Sequence, residues 1–147
     1  MERATAPLEA TRAVGRLETD GPWIGFGYRA GAPRIVVGTA DGVLDAPADP
    51  DLTLALAIAH FAGALREPPP DLEATQSDLS ALVSHLVPGE ADPGRRALLG
   101  EAMDAIDDGL AGDAVAEKLE AARSPRDDAI DPVELLSMKA REMAAGA

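Results

Sequence analysis

Three Asp-Pro pairs, Asp49-Pro50, Asp92-Pro93 and Asp131-Pro132, each stand just before a stretch with helical apolar spacing. They commit the longer, second part of the chain to a series of separately started helices. Aspartate at an N-cap accepts a hydrogen bond from an amide that the first turn leaves orphaned. Proline at the next position has no amide to orphan and a φ already suited to helix. Asp131-Pro132-Val133-Glu134 also puts Glu at the third helical position, which approximates a capping box with Asp in place of Ser or Thr. Asp71, after Pro68-Pro69-Pro70, and Asp113, after Gly109 and Gly112, read as two further caps. These signals predict five helices, near residues 50–66, 71–87, 93–109, 113–123 and 131–144.

The first predicted helix carries Leu54, Ile58, Phe61 and Leu65 on one stripe and the smooth set Ala55, Ala59 and Gly63 on another, flanked by Leu52 and Leu56. A helix apolar on two sides belongs between other elements, so this one is expected at the centre. The others show single amphipathic stripes: Leu72, Leu79, Val83 and Leu86, then Leu99, Met103, Ile106 and Leu110, and finally Val133, Leu136, Ala140 and Met143. Asp113 to Arg123, with Val115 and Leu119, gives a shorter and weaker helix.

Ahead of the helices the pattern changes. Ile24, Phe26 and Tyr28 alternate with Trp23, Gly25 and Gly27, and Arg34-Ile35-Val36-Val37 follows the turn-prone Ala30-Gly31-Ala32-Pro33, which predicts a hairpin. Asp41-Gly42 is a turn signal, and Val43-Leu44 begins a third short strand that Pro47 ends. Residues 8–18 fit either a short helix from Pro7, carrying Leu8, Val14 and Leu17, or a strand over Arg12 to Leu17 that pairs with Trp23 to Tyr28. The fold expected is therefore α+β and mainly α, a single domain over residues 1–147. A small amino-terminal antiparallel hairpin or three-stranded sheet (residues 8–47) packs on a bundle of about five helices (residues 48–147), lying against the helix from Pro50 to Arg66. A chain of 147 residues can bury roughly 70% of its unfolded surface. With only four aromatic residues its core must be built from small aliphatic side chains.

Charge divides the chain at the same place. Residues 1–40 hold five arginines against four carboxylates, whereas residues 41–147 hold twenty-two carboxylates against eight basic residues, for a net charge of -13 overall. No basic stripe exists to neutralise phosphates, so direct nucleic-acid binding is not expected. The absence of cysteine excludes a disulfide framework, a thiolate metal site and a cysteine nucleophile, and it suits the cytoplasm. Met1 to Pro7 has no apolar run for a signal peptide. The longest uncharged apolar run, Leu52 to Leu65, is shorter than the ~20 residues that cross a bilayer, so no membrane partner is expected.

The sequence offers little for catalysis. Gly25-Phe26-Gly27-Tyr28-Arg29-Ala30 spells a dinucleotide fingerprint, but that motif must open a helix, and Pro33 with the β-branched run behind it keeps this segment extended. His60 and His85 have no second histidine at helical spacing, no HExxH and no G-x-S-x-G elbow around them. His60 falls with Thr53 and Glu67 away from the Leu54 stripe and His85 opposite the Leu79 and Val83 stripe, so both read as boundary or surface residues. Asp104 to Gly109 resembles the start of a calcium loop but lacks its middle ligand and its bidentate glutamate. No catalytic, cofactor-binding or metal-binding residue is assigned.

Two features are left over. Glu101, Asp104 and Asp108 lie opposite the apolar stripe of the third helix, Asp107 joins them in its last turn, and no Lys or Arg is there to offset them. Leu135 and Met138 form a second apolar stripe on the last helix. Together they point to a non-enzymatic, acidic protein-protein interaction module, an accessory or regulatory subunit. It would dock the basic surface of another protein through Glu101, Asp104, Asp107 and Asp108, or associate with itself through Leu135 and Met138. A small enzyme or ligand-binding subunit is the alternative, with its site at Trp23, Tyr28 and His60 between the aromatic hairpin and the central helix. An acidic mimic of nucleic acid shares the same charge pattern.

Overall fold

The computed structural model of the chain describes residues 7–67, 69, 71–123 and 130–146. Residues 1–6, read above for the absence of a signal-peptide core, lie outside the described residues. The chain first forms four strands, β1 (Leu8–Arg16), β2 (Trp23–Arg29), β3 (Ala32–Thr39) and β4 (Gly42–Pro47). They pair in sequence order as one antiparallel meander. Five helices follow: α1 (Pro50–Phe61), α2 (Leu72–Ser84), α3 (Pro93–Asp107), α4 (Gly112–Ala122) and α5 (Pro132–Gly146).

The sheet has four strands where a hairpin or three strands are expected, because residues 8–16 take the strand and not the helix of their two open readings. Their alternation is hard to read for a physical reason. β1 slips register against β2 twice, between Glu9 and Arg12 and between Ala13 and Gly15, and Ala10 takes a positive φ of 53°. Each bulge shifts the in-out phase by one residue, so apolar positions do not recur every second residue. In the β2–β3 hairpin Ile24 faces Val37 and Phe26 faces Ile35, and these four side chains make one apolar patch. On the opposite face Asp45 of β4 accepts from Arg29 (Nε and Nη2, both 2.8 Å) and from Arg34 (Nε, 2.8 Å). Those hydrogen bonds, that from Arg29 first, hold the Asp45 carboxyl down to a pKa of about 2 against the opposing effect of burial.

The helix starts follow the aspartates. Asp49 accepts from Leu52 N, Asp71 from Ala74 N, Asp92 from Gly94 N and Arg95 N, and Asp131 from Val133 N and Glu134 N. Asp113 is a correction: the N-cap of α4 is Ala111, which has no side-chain cap bond, and Asp113 sits inside the first turn. Three helix ends are also corrected. α2 stops at Ser84 and not at residue 87, because His85 N, Leu86 N and Val87 N bond carbonyls three residues back in successive turns, so Leu86 of its stripe lies past the helix. α1 stops at Phe61 and α3 at Asp107, because Gly63 (φ 71°) and Gly109 (φ 72°) take the left-handed conformation just past each end. There Ala64 N bonds Ala59 O and Gly63 N bonds His60 O, with the same pair of bonds at Leu110 to Ala105 and Gly109 to Ile106. This double bond closes a helix and satisfies its last carbonyls. Leu65 is therefore outside α1, and Leu110, expected in the core, is 47% exposed. Leu72, at the first turn of α2, is 46% exposed.

α1 occupies the centre. Every residue from Leu52 to Ala59 is buried, as is Phe61. It packs against α4, α5 and α2. Its side chains join Ile24, Phe26, Ile35 and Val37 of the sheet, and Leu79, Leu99, Leu119 and Leu136 of the other helices, in one hydrophobic cluster. Among the described residues no helix is long and apolar enough to cross a membrane.

Candidate functional site

Three places carry the residues singled out from sequence, and the fold treats them differently. On α3 the helical spacing sets Leu99, Ala102, Ala105 and Ile106 into the core, which turns Glu101, Asp104, Asp107 and Asp108 outward on the opposite side. All four are exposed. No basic residue occupies the last turn, and among the described residues none of the four is in an ion pair. Asp107 has a second role, because its Oδ1 accepts from the hydroxyl of buried Ser80 on α2 at 3.1 Å.

On α5, Leu136 and Ala140 are buried, and Leu135 is partly buried against the core cluster. Met138, one turn on from Leu135 and 44% exposed, is left as the outward member of that pair.

The aromatic residues do not converge. Trp23 and Tyr28 are five positions apart on β2, so alternation sends them to opposite faces. Trp23 occupies the space above its register partner Gly38, where a Cβ would stand 1.6 Å from the indole Nε1. Tyr28 is on the face of Phe26 and stacks at a tilt on His85, with ring centroids 5.4 Å apart. His85 follows α2, whose Asp78 forms an ion pair with Arg12 of β1. Burial raises the Tyr28 hydroxyl pKa, and the negative charge of Asp78 adds to the effect.

His60 belongs to a different neighbourhood. Its ring meets Phe61 edge to face, and its Nε2 is 3.4 Å from the side-chain nitrogen of Gln76 on α2. Burial lowers its pKa below the ordinary 6.5, so the native ring is neutral. The sign of the pH dependence follows. This contribution to stability is intact above pH 6.5 and is lost as the pH falls below it, because the unfolded state then takes up the proton more readily. Urea midpoints followed from about pH 8 to about pH 5 should decline for the wild type and decline less for His60→Gln, and parallel curves would contradict the assignment.

The expected ligand site is a correction: a cleft of about 280 Å³ lies among α1, the end of α2 and α3, reached from the sheet by Pro33 alone, and it is lined by His85 and by none of Trp23, Tyr28 and His60. Its walls include Pro33 of β3, Thr53 and Leu54 of α1, and Arg95 and Leu99 of α3. Arg95 is held by pairing with Glu90 at 3.0 Å and by donating through Nε to the carbonyl of Ala122 at 3.1 Å. The Tyr28-His85 contact joins residues 57 positions apart with no local signal, so sequence reasoning passes over it. A second omission was legible: Asp113, Glu117 and Glu120, at spacings of four and three, share one face of α4. Among the described residues no group of three or more His, Asp or Glu side chains is arranged to hold a metal ion. Comparison with family models, with curated proteins and with solved structures finds no match to this chain.

Proposed function

We propose that this protein is a non-enzymatic interaction module of the cytoplasm, an accessory or regulatory subunit that engages a basic partner protein through its acidic helical half. The observation that supports this reading is the carboxyl-terminal end of α3, where the exposed Asp104, Asp107 and C-cap Asp108 stand with no cation in the last turn and exposed Glu101 precedes them by one turn. Carboxylates at that end of a helix oppose its dipole, at ~0.3–1 kcal/mol each when exposed. The arrangement costs the free protein stability. A basic surface docked against it relieves both the dipole opposition and the mutual repulsion, and its attraction speeds encounter.

The test separates binding from folding. In the variant Asp104→Ser, Asp107→Asn, Asp108→Ser, the Asn at 107 keeps an acceptor for Ser80. Its urea stability should equal or slightly exceed that of the wild type. Captured from a lysate of the source organism at low salt, the partner should elute on raising the salt and should be missing from the variant. Equal capture by both proteins would remove this face from consideration.

The cleft at His85 supports a second reading, as a subunit that binds a small ligand among α1, α2 and α3. Its α3 contributors, Arg95 and Leu99, point away from the acidic side of that helix. Ligand binding there would survive the triple substitution unchanged, which distinguishes the two readings.

A further inference from the structure

The sequence of α4, Gly112-Asp-Ala-Val-Ala-Glu-Lys-Leu-Glu-Ala-Ala122, sorts by helical spacing into two faces. Val115, Leu119 and Ala122 are buried, and so is Ala116 at the boundary. Asp113, Ala116, Glu117 and Glu120 share the face next to them, and Lys118, the basic residue of this helix, is directed elsewhere. Gly112 lets the helix begin against α1, since a Cβ there would stand 2.3 Å from the carbonyl oxygen of Phe61. The two helices and the start of α5 enclose a groove of about 340 Å³. Ile58, Ala59, Ala116 and Val133 contribute an apolar floor, and among the described residues the charged side chains that line it are Asp113, Glu117, Glu120 and Asp131, all carboxylates, with Arg123 at the edge against Glu120.

Two of these carboxylates are already engaged. Glu120 pairs with Arg123 at 2.8 Å, and Asp131 caps α5 through the amides of Val133 and Glu134. Asp113 and Glu117 have no ion-pair or hydrogen-bond partner among the described residues. The last turn of α1, whose carbonyl end carries the negative pole of the helix, borders the same groove through Ala62. The carboxylates are spread along a rim and not gathered for a metal ion. Such a rim is complementary to cations that are themselves spaced along a chain, and the alanine floor leaves room for an aliphatic side chain between them.

We propose that this groove docks a cationic amphipathic segment of another protein, with an apolar side chain seated over Ala59 and Ala116 and flanking Lys or Arg side chains on Asp113 and Glu117. A second copy of this chain is a poor occupant, because its net charge of -13 would meet the same acidic rim. The inference rests on the reading of the helical half as an acidic docking module and adds a second contact surface to the α3 face.

The probe is a short fluorescent peptide of repeated Leu-Lys-Lys, compared with one in which Gly replaces every Leu. Anisotropy should show the leucine peptide binding the full chain more tightly than the glycine peptide, and amide shifts should concentrate at residues 58–64, 112–120 and 131–133. Asp113→Asn with Glu117→Gln should weaken the leucine peptide about tenfold, given the modest worth of each exposed charge. Ala62→Phe, which crowds the floor from an exposed position, should remove the advantage of leucine over glycine. Equal affinity of both peptides, or no binding of either, would overturn the proposal. Shifts confined to Glu101 through Asp108, with Asp113→Asn and Glu117→Gln silent, would also overturn it while leaving the acidic-module reading intact. Loss of the lysate partner from the α3 variant tests that broader reading separately.

Discussion

Replacing Leu54 with Ala is expected to lower the stability of this protein by about 3–5 kcal/mol, the upper part of the range for a buried leucine. Leu54 has no exposed surface, and it lies in a helix whose residues are all buried from Leu52 to Ala59. The cost of such a truncation depends on how far the surroundings collapse into the space left behind. Here α1 is held by α2, α4 and α5 and shares one core with the sheet, so no side is free to move in. Urea unfolding measures the loss as a lower midpoint at unchanged slope. A change below about half a kilocalorie would mean that α1 is not the centre of the fold.

The same substitution should have opposite signs at two helical glycines. Gly112→Ala places its Cβ 2.3 Å from the carbonyl oxygen of Phe61, a backbone atom that cannot swing aside, so α4 must back away from α1. The expected loss is about 1–3 kcal/mol, as for other overpacked contacts. Gly100→Ala, inside α3, meets nothing within 4 Å and should gain up to about 1 kcal/mol from helix propensity alone. Thermal melts of the two variants provide the comparison. A neutral Gly112→Ala would place α4 farther from α1 than described and would dissolve the wall of the groove between them.

What the sequence discloses about this fold depends on how local the cause is. The aspartate caps at positions 49, 71, 92 and 131 act within three residues, and they were legible. So was the double-sided apolar character of α1. The ends of α1 and α3 rest on Gly63 and Gly109, which apolar periodicity carries past, since Leu65 and Leu110 keep helical spacing beyond the stop. β1 was ambiguous because its two bulges break the alternation that marks a strand. The parity that separates Trp23 from Tyr28 was in the sequence all along, five residues apart on one strand. The partnership of Tyr28 with His85 was not, because a sheet and a distant helix end supply it. At the candidate site, the four carboxylates of α3 face outward as their spacing required. The acidic face of α4 was hidden by reading Asp113 as a cap, a role that the backbone gives to Ala111.

The central claim, that the acidity of the helical half serves encounter with a basic partner, is tested most directly by association kinetics. The rate of binding between the captured partner and this protein would be measured at roughly 0.01 M and 1 M salt, where the Debye length shrinks from about 30 Å to about 3 Å. The wild-type rate should fall steeply with salt. The variant Asp104→Ser, Asp107→Asn, Asp108→Ser should associate about tenfold more slowly at low salt and respond only weakly to added salt. An association rate that is the same for both proteins and indifferent to salt would contradict the claim and reduce these carboxylates to a solvated surface.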